Sequence, residues 1–540
     1  MKNLISAICV VTFTIPAYAQ FCDPPGEVVG ITGYPVQSSG MAVNRIAFDE
    51  LEGVHITWMS GESIFNRGVS YNFLDETGQW LSPDGMPVNQ VNGAGYPTLA
   101  LNSNNAAVVT YHNTGNNYVN LAVDAFRGMG IFEYYDPPDL APSGNHAFWP
   151  QVAVSANGDI HVLMVEHTQD SGVYPAMLYT RSTDGGASWT SPETVAEVAL
   201  LNGCITASAD GKVAIVFLDP VRIGEFSQDR NDVSYFVSED GRTWDFDNPI
   251  NLTDYANDDL EIYCPWGIDA VFDNEGNLHF TWVTGHIDDD GYFLDETCQL
   301  WHYSELTGAL SLLAESTDEV LDCVYGAVTL PISMPSISFD ELNGFDAVSV
   351  IYVGYDESDV SSEGECVGDL YGVFGYENGD FWQGPFNLTQ THSPGCSPGD
   401  CQSENFGTIS EKMEFSVNLT YVKQKLGDIP DTVYYMPIEV DTPEGIHDSD
   451  RLPGSFALLG NYPNPFNNRT MIEFELESPA DLKIAVYDIT GALVQILQDG
   501  PLHTGRQSIA WNAEDVASGT YFYKLTTPDG SRVRRMTLLK

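Results

Sequence analysis

Basic residues are what this 540-residue chain has least of: 21 Lys and Arg stand against 76 Asp and Glu, a formal net charge of −55. A surface this acidic repels phosphate backbones, anionic membranes and polyanionic glycans, and nucleic-acid readers are excluded on that ground. Long apolar runs are missing after the first twenty residues, so no later segment reads as a membrane helix. No apolar pattern of helical period persists anywhere, which leaves little room for an α-helical domain. The nine cysteines show no zinc-type spacing. A nucleophile elbow, a phosphate loop and a His-Glu-x-x-His motif are all lacking.

The chain does hold 26 Phe, 27 Tyr, 10 Trp, 49 Gly and 30 Pro. Aromatic, turn-rich composition without helical period predicts an all-β protein. Residues 1–19 read as a signal peptide: Lys2 is basic, residues 4–15 are apolar but too short to span a bilayer, and Ala17-Tyr18-Ala19 suits cleavage. From Leu452 onward there are 8 basic and 9 acidic residues, leaving 13 and 67 before it. Nearly all the charge therefore belongs to the N-terminal part, and two modules of different electrostatic character are expected.

One pattern recurs through residues 20–440: an apolar strand, a short turn, a second apolar strand, a variable loop and a hairpin. Copies start near Arg45, Pro97, Pro150, Gly203, Pro265, Pro335 and Gly407. Units that cannot bury both faces alone, repeated at this spacing, predict a seven-bladed β-propeller, with six or eight blades left open. The last unit is one strand short, and residues 28–32 are expected to complete it and close the ring.

Two hairpins carry a shared motif. Ser182, Asp184, Gly186 and Trp189 fit Ser-x-Asp-x-Gly-x-x-Trp, and Ser238, Asp240, Gly241 and Trp244 form a copy one residue shorter. The Ser and Asp side chains suit turn amides, Gly permits positive φ, and Trp suits packing between sheets. These residues resemble the Asp-box repeats of sialidase-like propellers. The resemblance implies the fold, and it implies that the eight residues are structural. Sialidases of that family hold their substrate's carboxylate with three arginines, and Arg45 sits where the first would lie. Between Trp244 and Asp450 there is no arginine, so sialidase activity is not expected.

Ligand-binding candidates are bulky residues beside proline at the blade entrances: Tyr96, Trp149 and Trp266. Ringed around a concave mouth, they would suit a glycan or a protein. Asp288, Asp289 and Asp290, with the acidic stretch 356–365, offer oxygen ligands of the kind calcium takes, though solvated acidic loops are the plainer reading. His146, His161 and His167 are expected in core, turn or solvent. Eight cysteines remain after leader removal; Cys396 with Cys401 is the best local disulfide pair and Cys298 with Cys323 the next. A binding protein is expected first, and a glycoside hydrolase or lyase with unidentified carboxylates second.

Residues 441–455 read as a linker and 456–540 as a small immunoglobulin-like sandwich. Asn461-Tyr462-Pro463-Asn464-Pro465-Phe466-Asn467, Val486-Tyr487-Asp488, Trp511-Asn512, Gly519-Thr520-Tyr521 and the basic end Arg534-Arg535 resemble the type IX secretion sorting domain and its relative, the flagellar-hook-capping immunoglobulin-like domain. That resemblance implies passage across the outer membrane, secretion or surface attachment, and the secretion machinery or cell envelope as partner.

Overall fold

The computed structural model describes residues 25–439 and 456–540. Excepted are 35, 39–42, 64–65, 90–92, 115–117, 138–145, 168–174, 199–202, 224–227, 254–261, 264–266, 288–292, 317–329, 343–344, 377, 380, 414–415, 427–429, 463–465, 477–478, 489–492, 514–515, 528–529 and 539. The expected leader and linker lie outside the described residues.

The described residues are strand and turn throughout. Between residues 27 and 439 they form seven antiparallel sheets, whose first three strands, counted outward from the inner one, follow chain order. The inner strands are Ile46–Phe48, Ala94–Leu101, His146–Val154, Cys204–Ala207, Ile268–Phe272, Ile332–Leu342 and Ser403–Ile409. Each packs against the next, and the seventh packs against the first, so the sheets close into a β-propeller. Closure has a second component. Glu27–Thr32 pairs antiparallel with Asp431–Glu439 and becomes the outer strand of the seventh sheet, as the missing strand predicted.

Cores form between sheets. Val69, Tyr71 and Phe73 of the first meet Leu99, Val109 and Tyr111 of the second, and Val108, Leu121, Val162 and Met164 form the next layer. The second strand of the second sheet, Ala107–Asn113, is buried along its whole length. Such a strand has no polar face to show water, which is why an isolated unit would not fold.

The end of the sheets bearing the turns between first and second strands is stapled by histidines. His55 meets Asp49 Oδ2 at 3.0 Å and Tyr71 OH at 2.7 Å; His161 meets Ser155 Oγ at 2.9 Å and Tyr179 OH at 2.8 Å. Burial pushes His161 down to about 4, so it is a neutral turn staple. Asp49 also takes two hydrogen bonds from Arg127 of the neighbouring sheet, at 2.6 and 3.1 Å. Asp159 takes Arg181 within its sheet at 2.9 Å and Arg242 from the next at 2.8 and 3.2 Å.

The two Ser-x-Asp hairpins lie at the same end. Ser182 Oγ accepts from the Gly186 amide at 2.8 Å, Asp184 Oδ1 accepts from the Ser188 amide at 2.7 Å, and Gly185 and Gly186 take positive φ. Trp189 is half-buried and donates to the Gly186 carbonyl at 2.9 Å. In the shorter copy, Asp240 accepts from the amides of Arg242 and Thr243 and from Ser238 Oγ, Gly241 has φ 64°, and Trp244 packs on Tyr179 and Phe246.

Cys396 and Cys401 form a disulfide. The expected Cys298–Cys323 bridge is corrected. Cys298 is a free buried thiol directed at the Ile332 carbonyl, 3.2 Å away, on a strand whose inward face is core. Cys366 is disulfide-bonded.

The C-terminal module is a two-sheet sandwich. Phe456–Tyr462, Arg469–Leu476 and Gly505–Asn512 form one sheet; Leu493–Leu502, Ala480–Asp488, Gly519–Thr527 and Gly530–Leu538 form the other. Ile472, Phe474, Ile484, Val486, Trp511, Tyr523, Leu525 and Leu538 fill its core. Phe456–Tyr462 was not expected as a strand, because its alternation is masked by Leu458 and Leu459 in succession.

Candidate functional site

The entrances to the inner strands share one distortion. Strand register slips by one residue at Tyr96-Pro97, Trp149-Pro150, Met334-Pro335 and Phe406-Gly407. The first residue of each pair is left-handed, with φ of 53°, 51°, 53° and 55°. At the three prolines the ladder has no amide to receive, so a bulge forms and the bulky residue before it is turned out of the pleat; Phe406 takes the same geometry before Gly407. The fifth sheet has its inner strand broken at the equivalent place, where Gly267 has φ 86°. Tyr96 and Trp149 are part-exposed; Met334 and Phe406 are buried. Trp266 lies outside the described residues.

Around Tyr96 and Trp149 the structure assembles residues that the sequence reading missed. Arg67, 4% exposed, opens the third strand of the first sheet. Its guanidinium carbon lies 5.4 Å from the Tyr34 ring and 5.3 Å from the Tyr96 ring, and its Nη2 is 3.0 Å from His112 Nε2. Cation–π attraction at these distances holds the charge between two rings. Gly95 makes the room: a Cβ there would come within 2.6 Å of Met59 Sδ and 3.1 Å of Arg67 Nε.

His112 lies tilted against Tyr96 at 4.9 Å and meets Phe148 edge-on at 4.9 Å, and Phe148 leads to Trp149 at 6.2 Å. Burial, then Arg67, pushes the His112 pKa well below the ordinary imidazole value, so the ring is neutral near pH 7. Arg67 can only donate, which makes Nε2 the acceptor. Burial first, then Tyr34, pushes the Tyr96 hydroxyl up to about 12, so it stays protonated and able to donate. His146 lies beside Phe148 at 6.4 Å; the His167 side chain lies outside the described residues.

The same rim over the sixth and seventh sheets is acidic. Thr391 Oγ1 bonds both Asp369 and Glu404. Asp359 accepts from the Ser393 amide at 3.0 Å and faces His392 at 3.3 Å. Burial pushes Glu404 up to about 8; Thr391 and Lys423 oppose the rise, and Asp369 and Asp359 add to it. Glu404 is 0% exposed, so it is out of reach of a substrate as acid or base. On the fifth inner strand burial holds Asp269 at about 6, and just past the seventh it holds Glu411 at about 7, with Asp269 adding to the Glu411 shift.

Two other expectations meet a specific outcome. Asp288, Asp289 and Asp290 lie outside the described residues. Asp356 spends its Oδ1 on the Ser358 amide and hydroxyl, and among the described residues no three His, Cys, Asp or Glu side chains are grouped to hold a metal ion. Arg45 is only 1% exposed and donates to the Phe406 carbonyl, so a sugar carboxylate cannot reach it.

Residues 461–538 match the family described as Secretion system C-terminal sorting domain. The C-terminal module is a type IX sorting domain. This sorting domain implies a chain handled by the type IX secretion machinery and secreted or held on the outer cell surface. No described helix is long and apolar enough to cross a membrane. No curated protein matches the chain. Similar solved structures include a PL25 ulvan lyase (12% identity, TM-score 0.48, covering 78% of this chain and 96% of that one). A Hadza microbial sialidase matches at 14% identity and TM-score 0.38, over 69% and 74% of the two chains. The Penicillium chrysogenum α-L-arabinanase matches at 12% and 0.37, over 65% and 96%. Likeness at this level bears on neither the ligand nor the chemistry of this chain.

Proposed function

We propose that the propeller, delivered outside the cell by its sorting domain, binds an extracellular carbohydrate chain on the rim over its second and third sheets. One observation carries this reading: of four equivalent left-handed residues, only Tyr96 and Trp149 stay part-exposed. Holding a bulky residue at positive φ costs roughly 1–3 kcal/mol, a strain that clusters at ligand sites. Aromatic faces stack on the C–H faces of sugars, and Arg67 and the Tyr96 hydroxyl supply donors for sugar oxygens. We also take residues 1–19 as a removed leader, 20–440 as the propeller, 441–455 as the linker and 456–540 as the sorting domain. The Ser182 and Ser238 hairpins are Asp-box turns in this reading.

Affinity electrophoresis in gels containing neutral or uronate-bearing polysaccharides tests the assignment. Tyr96→Ala and Trp149→Ala should each weaken retention about thirtyfold, the equivalent of ~2 kcal/mol for a buried aromatic anchor. If both variants migrate as the parent does in every gel that retards it, the rim is not the binding face.

A further inference from the structure

We propose that Arg45 holds a small inorganic anion of chloride size inside the joint between the first and last sheets. Arg45 directly precedes the inner strand Ile46–Phe48. One nitrogen, Nη2, donates to the carbonyl of Phe406, the left-handed residue of the seventh inner strand. The other two, Nε and Nη1, are buried with no hydrogen-bond partner among the described residues. No carboxylate is within ion-pair distance of it there, although the chain has 76 of them. Burial alone acts on its pKa, with no neighbouring anion pulling the other way.

A guanidinium does not escape its environment by losing its proton. A buried, unpaired cation costs several kcal/mol, and buried N–H groups in native proteins are almost always satisfied. At 1% exposure, the group is closed to a macromolecular carboxylate. A water molecule would satisfy the N–H groups and leave the charge unpaired. A halide does both. The overall negative field opposes anions at long range, but salt screens it within about 8 Å, whereas the contact acts in a desolvated interior.

Because Arg45 already bonds Phe406 across the ring closure, the anion tightens that joint. It acts beside the pairing of Glu27–Thr32 with Asp431–Glu439. The site is independent of the Tyr96–Trp149 rim and of whatever binds there.

The test uses the full mature chain. Melting temperature is measured in sodium chloride, sodium bromide and sodium gluconate at one ionic strength, for the parent and for Arg45→Met. The parent should melt several degrees higher in either halide than in gluconate, since a ligand selective for the folded state stabilises it by mass action. Arg45→Met should lose that difference. Crystals soaked in bromide should show an anomalous peak beside Arg45 Nε and Nη1, which decides the matter even if the variant does not fold. Equal melting in halide and gluconate, a halide effect surviving in Arg45→Met, or a bromide map empty at Arg45 would each overturn the proposal.

Discussion

Replacing Glu404 by Gln should flatten the alkaline side of the stability curve. Glu404 is 0% exposed, one oxygen is met by Thr391 and the other has no partner among the described residues, so its charged form is poorly solvated. Its pKa rises from the ordinary 4.5 to about 8. In the window between those values the native state keeps a proton that the unfolded chain has released. Stability is therefore fully present below the unfolded pKa and is lost as pH rises through the folded one, at about 1.4 kcal/mol per unit. Between pH 6.5 and 8.5 this amounts to about 2 kcal/mol from Glu404. Glu411, held at about 7, adds roughly 1 kcal/mol. Asp269 and Asp431, both at about 6, have largely finished titrating by then. The histidines pushed down by burial, His55, His112, His161 and His302, are still partly protonated in the unfolded chain at pH 6.5, so they oppose this loss as pH rises, by the same amount with or without Glu404. Urea denaturation at the two pH values should show the parent losing about 2 kcal/mol more than Glu404→Gln. Parallel losses in the two proteins would refute the assignment of a proton to Glu404.

Three further outcomes are expected. Asp49→Ala should destabilise by about 3–5 kcal/mol in urea denaturation, because it strands Arg127 and His55 beside a 1% exposed site. The Asp49 carboxyl is held well below the usual range, so the parent should lose this contribution only as pH falls below the ordinary aspartate value, and the variant should lack that acid limb. Trp189→Ala should cost about 1–3 kcal/mol, less than a fully buried aromatic, with binding to polysaccharide gels unchanged. Removing residues 452–540 should leave a propeller with an unchanged far-ultraviolet dichroism spectrum per residue that accumulates inside the outer membrane; normal amounts in the medium would contradict the role of the sorting domain.

Much of the architecture follows from local chemistry. The repeat of apolar strands, the Asn, Asp and Gly turns and the missing seventh-sheet strand are all local or periodic, so they can be read without coordinates. That is why residues 28–32 were expected in the last sheet and are found there. The Cys396–Cys401 bridge was equally legible, since the two residues flank a turn. The sorting domain announced itself through contiguous motifs. The candidate site was legible in only one respect, that a bulky residue before proline at a strand entrance is turned out of the sheet. Which of those residues stay accessible depends on the neighbouring sheets: Tyr96 and Trp149 stay accessible, while Met334 and Phe406 are covered. Arg67 and His112 are 45 positions apart and sit on different sheets, so no spacing rule joins them; the packing of the first sheet on the second does. Arg45 occupies the place in the sequence of a sialidase's first arginine, yet its partner is a carbonyl 361 positions away. Cys298 looked like half of a disulfide, and it became core because its strand turns that face inward. Charge and periodicity are properties of the chain and survive its unfolding. Burial, pKa and the company a side chain keeps exist only once distant sheets have closed around it.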